Sequence, residues 1–374
     1  MDFSLNDDQR LLQESLSRFL ADTYDWETRQ AAAGEPEGFK RETWQALAEL
    51  GLLAAPLSAE QGGLGGSGVD VMVLMEELGK ALVVEPYLTS VVLCGGLIEA
   101  QGTAAQKEAL LPDLVAGQSL FALAQGEPNG RYDLTAVAMR AREEAGRWRL
   151  SGRKAVVMNG DSADWLIVSA RLDEGSGEAG IALFLVEAGA EGVTRRGYPT
   201  VDGYRAAEVS FENAPATLLG LPETGFEALE LAVARAIVGL CAEAVGAMTV
   251  ACDTTLEYLK TRKQFGVPIG SFQVLQHRMV DLRMALEDAR SLTILAAAKL
   301  EAPRGERERA VSAAKAGVGR AARSVSEGAI QLHGGIAMTW EYPLSHYAKR
   351  LIMIDHLFGD VDHHEERFAH LSAG

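Results

Sequence analysis

Thr261-Arg262-Lys263-Gln264-Phe265-Gly266-Val267-Pro268-Ile269-Gly270-Ser271-Phe272-Gln273 lies between two long segments of helical periodicity. Its Gly-Val-Pro-Ile-Gly core ends one helix and forces a turn before the next begins. Arg262, Gln264, Ser271 and Gln273 place donors at that break. The arginine fork suits phosphate geometry, and the helix after Ser271 adds the positive end of its dipole. Taken alone, the stretch fits an anion site and equally a plain helical hairpin whose arginine faces water. The rest of the chain decides between them.

Outward from this break, Phe226 to Thr261, Phe272 to Leu300 and Arg307 to Gln331 carry sustained Ala/Leu/Val faces, and Tyr342 to Leu357 forms a last helix. Four long antiparallel helices with short links make a bundle. Toward the N-terminus, Leu12, Leu16, Phe19 and Leu20 recur at helical spacing, as do Trp44, Leu47, Leu50 and Leu52. Further helices are expected over Val69 to Leu82, Tyr87 to Gln101 and Ala104 to Ala116. The loop Gln61-Gly62-Gly63-Leu64-Gly65-Gly66-Ser67-Gly68 lacks the Gly-Lys-Ser/Thr ending of a phosphate loop and reads as a connection.

Between these helical regions the period changes. Leu134 to Ala141, Trp148 to Leu150, Trp165 to Ala170, Ile181 to Val186 and Ala207 to Phe211 are short β-rich runs separated by Gly, Asn and Asp turns. No helix of useful length interrupts them, which excludes a doubly wound nucleotide fold here. The expected class is α+β and multidomain: an N-terminal all-α domain over 1–118, a middle antiparallel β-barrel or sandwich over 119–220, and a C-terminal four-helix bundle over 221–374.

The 374 residues, 48% of them hydrophobic, exceed what one core supports, and the formal net charge of −17 excludes a nucleic-acid binder. Cys94, Cys241 and Cys252 are scattered in apolar surroundings and read as buried thiols, with no metal site. The acidic N-terminus lacks a signal-peptide pattern, and the apolar run Leu231 to Cys252 holds Arg235 and Glu243, which argues for a core helix rather than a membrane span. A cytoplasmic location is expected.

Arg262-Lys263-Gln264-Phe265-Gly266, Gln331-Leu332-His333-Gly334-Gly335 and Glu341-Tyr342-Pro343, with Glu127-Pro128 and Asn159-Gly160 before them, closely resemble the acyl-CoA dehydrogenase family of flavoproteins in order and spacing. The resemblance spans essentially the whole chain. It implies FAD held at a subunit interface, with Arg262 at the pyrophosphate, Phe265 and Gln273 packing on or bonding the dinucleotide, and Gln331, Gly334 and Gly335 lining its path. Arginine pairs with phosphate and glycine admits close backbone approach, so the residue types agree. His333 is expected to pack or hydrogen-bond near the flavin rather than to catalyse, and the C-terminal histidines show no metal-ligand spacing.

In the family, a glutamate before a glycine in the loop after the last helix removes the α proton while the β hydrogen leaves as hydride. Here His356-Leu357-Phe358-Gly359-Asp360 places phenylalanine at that position. Members that carry the base on the first bundle helix match Ala236 instead. Gly126 and Met158 replace hydroxyl residues beside the flavin ring. Substitute bases are Glu243, a lone carboxylate among apolar residues that could equally salt-bridge a neighbouring helix, and Asp360; Asp362 and Glu366 read as a solvated terminus.

What the resemblance implies is α,β-dehydrogenation of an acyl-CoA with FAD by a subunit that completes the FAD site of a homologous catalytic chain in a heterotetramer, with a further electron acceptor. The alternatives are a homotetrameric enzyme using Glu243 or Asp360 as base, and a flavin-free scaffold subunit.

Overall fold

The computed structural model describes residues 5–172 and 177–373. The chain divides into two compact units, 1–30 with 67–83 and 237–374, and 31–66 with 84–236. The order of elements is helical, then β, then helical, as expected.

The first helices form where the sequence supplies caps. Asn6 and Gln9 make a reciprocal capping box at the start of α1 (Asp7–Thr23), Ser67 and Asp70 do so at α4 (Gly68–Ala81), and Thr103 and Gln106 at α6 (Ala104–Val115). Between them lie α2 (Trp26–Ala33), α3 (Arg41–Glu49) and α5 (Gly96–Gln101). The expected helix from Tyr87 to Gln101 is π-helical over Tyr87–Gly95 and becomes α-helical only at Gly96.

The β elements are β1 (Phe121–Ala124), β2 (Arg140–Glu144), β3 (Arg147–Met158), β4 (Trp165–Leu172), β5 (Ile181–Glu187), β6 (Val193–Pro199) and β7 (Arg205–Leu218). β4 pairs with β2, β2 with β3, β3 with β7, β7 with β5 and β5 with β4, which closes a circuit; β1 adds to β4 and β6 to β7. The sheet is mixed rather than antiparallel throughout, because β1 and β2 follow one another along one edge of β4 and both run parallel to it. The strand expected from Leu134 starts only at Arg140. Asp133 Oδ1 accepts from the Thr135 backbone N at 2.8 Å and from its hydroxyl at 2.7 Å, which holds that segment in a turn. Phe184, Val168, Leu166, Leu150, Phe211 and Val209 fill the interior.

The C-terminal helices are α7 (Gly225–Thr261), α8 (Gln273–Ala298), α9 (Arg304–His333) and α10 (Leu344–His356), joined by a further helix α11 (Val361–Ala373). The apolar run in α7 is long and hydrophobic enough to cross a membrane, yet 89% of that window is buried within the protein, the environment of a core helix. Two glycines set its packing. A Cβ on Gly79 of α4 would lie 2.2 Å from Glu243 O, and one on Gly246 of α7 would lie 2.0 Å from Glu76 O. The backbones therefore touch, and neither position accepts a side chain. Asp362 and Glu366 are exposed, as expected, on the added helix α11, which Arg367 ties to Glu308 of α9 at 2.8 Å.

Candidate functional site

The break after α7 is a β-hairpin. β8 (Lys263–Gln264) pairs with β9 (Val267–Pro268), and the two tip residues Phe265 and Gly266 have φ of 54° and 83°. Two positive φ values in a two-residue loop match the twist of the flanking strands. Phe265 is 89% exposed although it is apolar and strained. The Ser271 hydroxyl donates to Pro268 O at 2.7 Å, and Gln276 Nε2 to Gly270 O at 2.8 Å. The exposed side chains of Arg262 and Gln273 have no hydrogen-bond or ion-pair partner among the described residues. Phe272, the residue before α8, offers no side-chain cap; its carbonyl accepts from Leu275 N at 2.9 Å.

Two of the quoted motifs, those of His333 and Tyr342, meet at a ring stack that the sequence reading did not foresee. Tyr258, one turn before Arg262, stacks on His333 with ring centroids 4.3 Å apart, and Tyr342 tilts against His333 at 5.4 Å. The ends of α7 and α9 are thereby brought together. The spacing of Tyr258 from Arg262 was the available signal, since four residues along a helix share a face. His333 is buried, with Nδ1 2.9 Å from Ala329 O, and burial lowers its pKa below the ordinary value against the pull of that carbonyl. It is a packing residue here. Gln331, Gly334 and Gly335 lie exposed beside it, and a Cβ on Gly334 or Gly335 would meet nothing within 4 Å.

Glu243 occupies a buried ion pair. Arg350 of α10 donates Nε to Oε1 at 2.5 Å and Nη2 to Oε2 at 2.8 Å, with both side chains at most 3% exposed. Each carboxylate oxygen is engaged, so abstraction of a proton would require the pair to open. Asp360 caps α11, its Oδ1 accepting from His363 N at 3.0 Å. Phe358 sits in the turn between α10 and α11 with φ of 56°, and Gly359 follows at 114°. That turn is tied down: Lys315 of α9, 1% exposed, donates to Asp355 O at 2.8 Å and to Gly359 O, and His364 Nε2 bonds Phe358 O at 3.0 Å.

In the β unit, Ala236 is fully buried in α7. Glu127 accepts from the Ala138 and Met139 backbone at 2.8 and 3.1 Å and from Lys154 Nζ at 2.9 Å. Burial pushes Lys154 down to about 8 against the pull of Glu127. This pair fixes Gly126-Glu127-Pro128 on the barrel. Met158 ends β3, and Asn159 follows with φ of 54° and its Oδ1 accepting from Thr89 at 3.1 Å.

Family models for the acyl-CoA dehydrogenase N-terminal, middle and C-terminal domains match residues 6–118, 122–214 and 223–362. A short-chain-specific acyl-CoA dehydrogenase of Clostridium acetobutylicum is 31% identical over 92% of each chain. Among solved structures, a variant of the Tcur3481-Tcur3483 steroid ACAD superposes with a TM-score of 0.89 at 29% identity, covering 99% of each chain. PigA, solved with FAD and proline, gives 0.92 at 27% identity over 100% of this chain and 99% of that one. By its length, its domain order and the motifs gathered around Tyr258 and His333, the chain belongs to the acyl-CoA dehydrogenase family.

Proposed function

We propose that this chain is the FAD-completing subunit of a heteromeric acyl-CoA dehydrogenase, working with a homologous chain that supplies the base. Family membership makes it an oxidoreductase acting on the CH–CH bond of an acyl-CoA. We read its domains as 1–118, 119–220 and 221–374.

The observation that carries the reading is the turn at Phe358. The position that holds the glutamate in the family resemblance bears an aromatic ring, while Glu243 is bound to Arg350 and Asp360 caps α11. The dinucleotide side supports it from the other direction. Arg262, Phe265, Gln273, Gln331, Gly334 and Gly335 are exposed, and Phe265 holds its ring out on a strained tip. The donor set fits FAD, as PigA's bound FAD suggests for a relative of this fold.

Arg262 would hold the pyrophosphate by charge-assisted bonds, Gln273 and Gln331 would bond polar groups, and the two glycines would admit close approach. FAD, when bound, supplies the hydride acceptor. Phe358 supplies no base in this chain, which favours placing a bulky or dicarboxylic acyl group in the partner's cavity. The steroid ACAD named for two chains is in line with such an assembly. A separate protein would take up the electrons, in the cytoplasm.

To test this, the chain is purified alone and together with a homologous subunit, and FAD per chain and flavin bleaching by acyl-CoA are measured. The lone chain should hold little flavin and bleach slowly; the pair should hold a full complement of flavin and bleach rapidly. Full flavin with rapid bleaching by the lone chain overturns the proposal.

A further inference from the structure

Several exposed cations on the helices of this chain meet carboxylates. Arg10 pairs with Asp7, Arg41 with Glu37 at 2.7 Å, Lys260 with Glu257 at 2.7 Å and Arg323 with Glu327 at 3.0 Å. The outer face of the β2–β3 hairpin is different. Arg140 and Arg142 of β2 and Arg153 of β3 are exposed and have no hydrogen-bond or ion-pair partner among the described residues. The ladder register places Arg142 directly opposite Arg149 and Arg140 opposite Ser151, so these residues share one face, with Arg153 two positions beyond Ser151. The face continues through Arg153 opposite Ser210 of β7 and Ser210 opposite Thr194 of β6.

Like charges directly across a ladder destabilise the pair by about 0.2–1 kcal/mol. A chain with net charge −17 has carboxylates to spare for such positions, yet none forms an ion pair with Arg140, Arg142, Arg149 or Arg153 among the described residues. Glu144, opposite Arg147, shares the face, and Glu212 lies at the β7 bulge; neither forms an ion pair with these arginines. Arg149, half-buried opposite Arg142, donates Nη1 to Asn213 O at 3.2 Å and has no ion-pair partner among the described residues.

We propose that the outer face of β2 and β3, built on Arg140, Arg142, Arg149 and Arg153, is a docking surface for a carboxylate-rich patch on another protein. From Arg149 to Arg153 the strand rises about 13 Å, and β2 lies about 5 Å away, so the guanidinium groups form a compact array. Planar forks at that spacing pair with carboxylates at alternate residues of a strand or one turn apart on a helix. An extended polyanion is a poorer occupant. Nucleic acid or an anionic membrane would reach beyond a Debye length of about 10 Å and meet the field of the remaining acidic chain. The surface is separate from the residues assigned to FAD, and its test does not depend on that assignment.

The test titrates a fluorescent oligoglutamate peptide with wild type, with an Arg140→Ala/Arg142→Ala/Arg153→Ala variant, and with an Arg10→Ala/Arg18→Ala/Arg309→Ala variant that removes the same charge from exposed helix positions. The expected result is salt-sensitive binding by wild type, about tenfold or more weaker binding by the hairpin variant, and binding within about twofold of wild type by the helix variant. The melting temperature of the hairpin variant should be unchanged or slightly higher, since one like-charge contact is gone. Absence of peptide binding by wild type, equal loss in both variants, or tighter hairpin-dependent binding of tripolyphosphate or phosphatidylserine vesicles overturns the proposal.

Discussion

Arg350 clasps Glu243 with two parallel bonds, Nε to Oε1 at 2.5 Å and Nη2 to Oε2 at 2.8 Å, inside the helical unit. A buried pair of this kind is strongly destabilising to break from one side, because the remaining charge is left without its partner. Glu243→Gln should lower stability by about 3–5 kcal/mol in urea unfolding, whereas Glu243→Leu with Arg350→Leu should cost much less. Flavin bleaching by the assembled enzyme separates structure from chemistry. Folded Glu243→Gln enzyme should bleach as wild type does, and loss of bleaching at unchanged flavin content would restore Glu243 as the base.

Phe358 stands before Gly359 with φ of 56°, in a turn whose carbonyls are held by Lys315 and His364. Glutamate tolerates that backbone no worse than phenylalanine, so Phe358→Glu should fold. A positioned general base contributes about 10²–10⁴ in rate. At saturating FAD, where the lone chain is loaded by mass action, Phe358→Glu should therefore bleach with acyl-CoA about 10²-fold faster than the wild-type chain. No gain at full flavin occupancy would show that this turn does not face the α carbon.

The long helices were legible because their apolar faces repeat at helical spacing, and the motif residues because their types carry the chemistry. What escaped lacked a local signature. β1 reads Phe-Ala-Leu-Ala and is buried throughout, so it has no alternation, while β6 holds Arg195, Arg196, Gly197 and Pro199 and resembles a loop. The Phe265-Gly266 hairpin lacks the Asn-Gly or Asp-Gly signal of its turn. α11 is polar along most of its length and is fixed by its contacts with α9. A lone carboxylate among apolar residues signals a bridge from Glu243 to another helix but does not identify Arg350 as the partner. Arg350 shares a helical row with buried His346 and Ile354, a position that predicts burial for a charged residue.

Arg262 is exposed and bonds nothing through its side chain among the described residues, so its removal should not disturb folding. A charge-assisted bond to phosphate is worth about 1.5–3 kcal/mol, which corresponds to roughly 10- to 150-fold in affinity. Arg262→Ala should raise the FAD dissociation constant of the assembled enzyme by that factor while leaving its melting temperature without flavin unchanged. Arg262→Lys should recover only part of the loss, since an ammonium cannot offer the bidentate fork. Equal flavin affinity across the three proteins would remove Arg262 from the pyrophosphate site.

His364 is 1% exposed and bonds Phe358 O through Nε2, which ties the acid response of the fold to the turn that carries Phe358. Burial pushes its pKa down to about 3, with the nearby Lys315 ammonium acting in the same direction. In the unfolded chain the imidazole titrates near its ordinary 6.5. Between these values the unfolded state binds the proton and the native state does not. Stability therefore falls as pH drops from about 6.5 toward 3, by up to about 1.4 kcal/mol per pH unit from this residue. His364→Gln keeps a donor for Phe358 O but cannot titrate. Urea midpoints of wild type and His364→Gln should run parallel above pH 7 and diverge below about 6, with the variant losing less. Parallel curves down to pH 4 would show that His364 is protonated in the native state and that the turn opens to water.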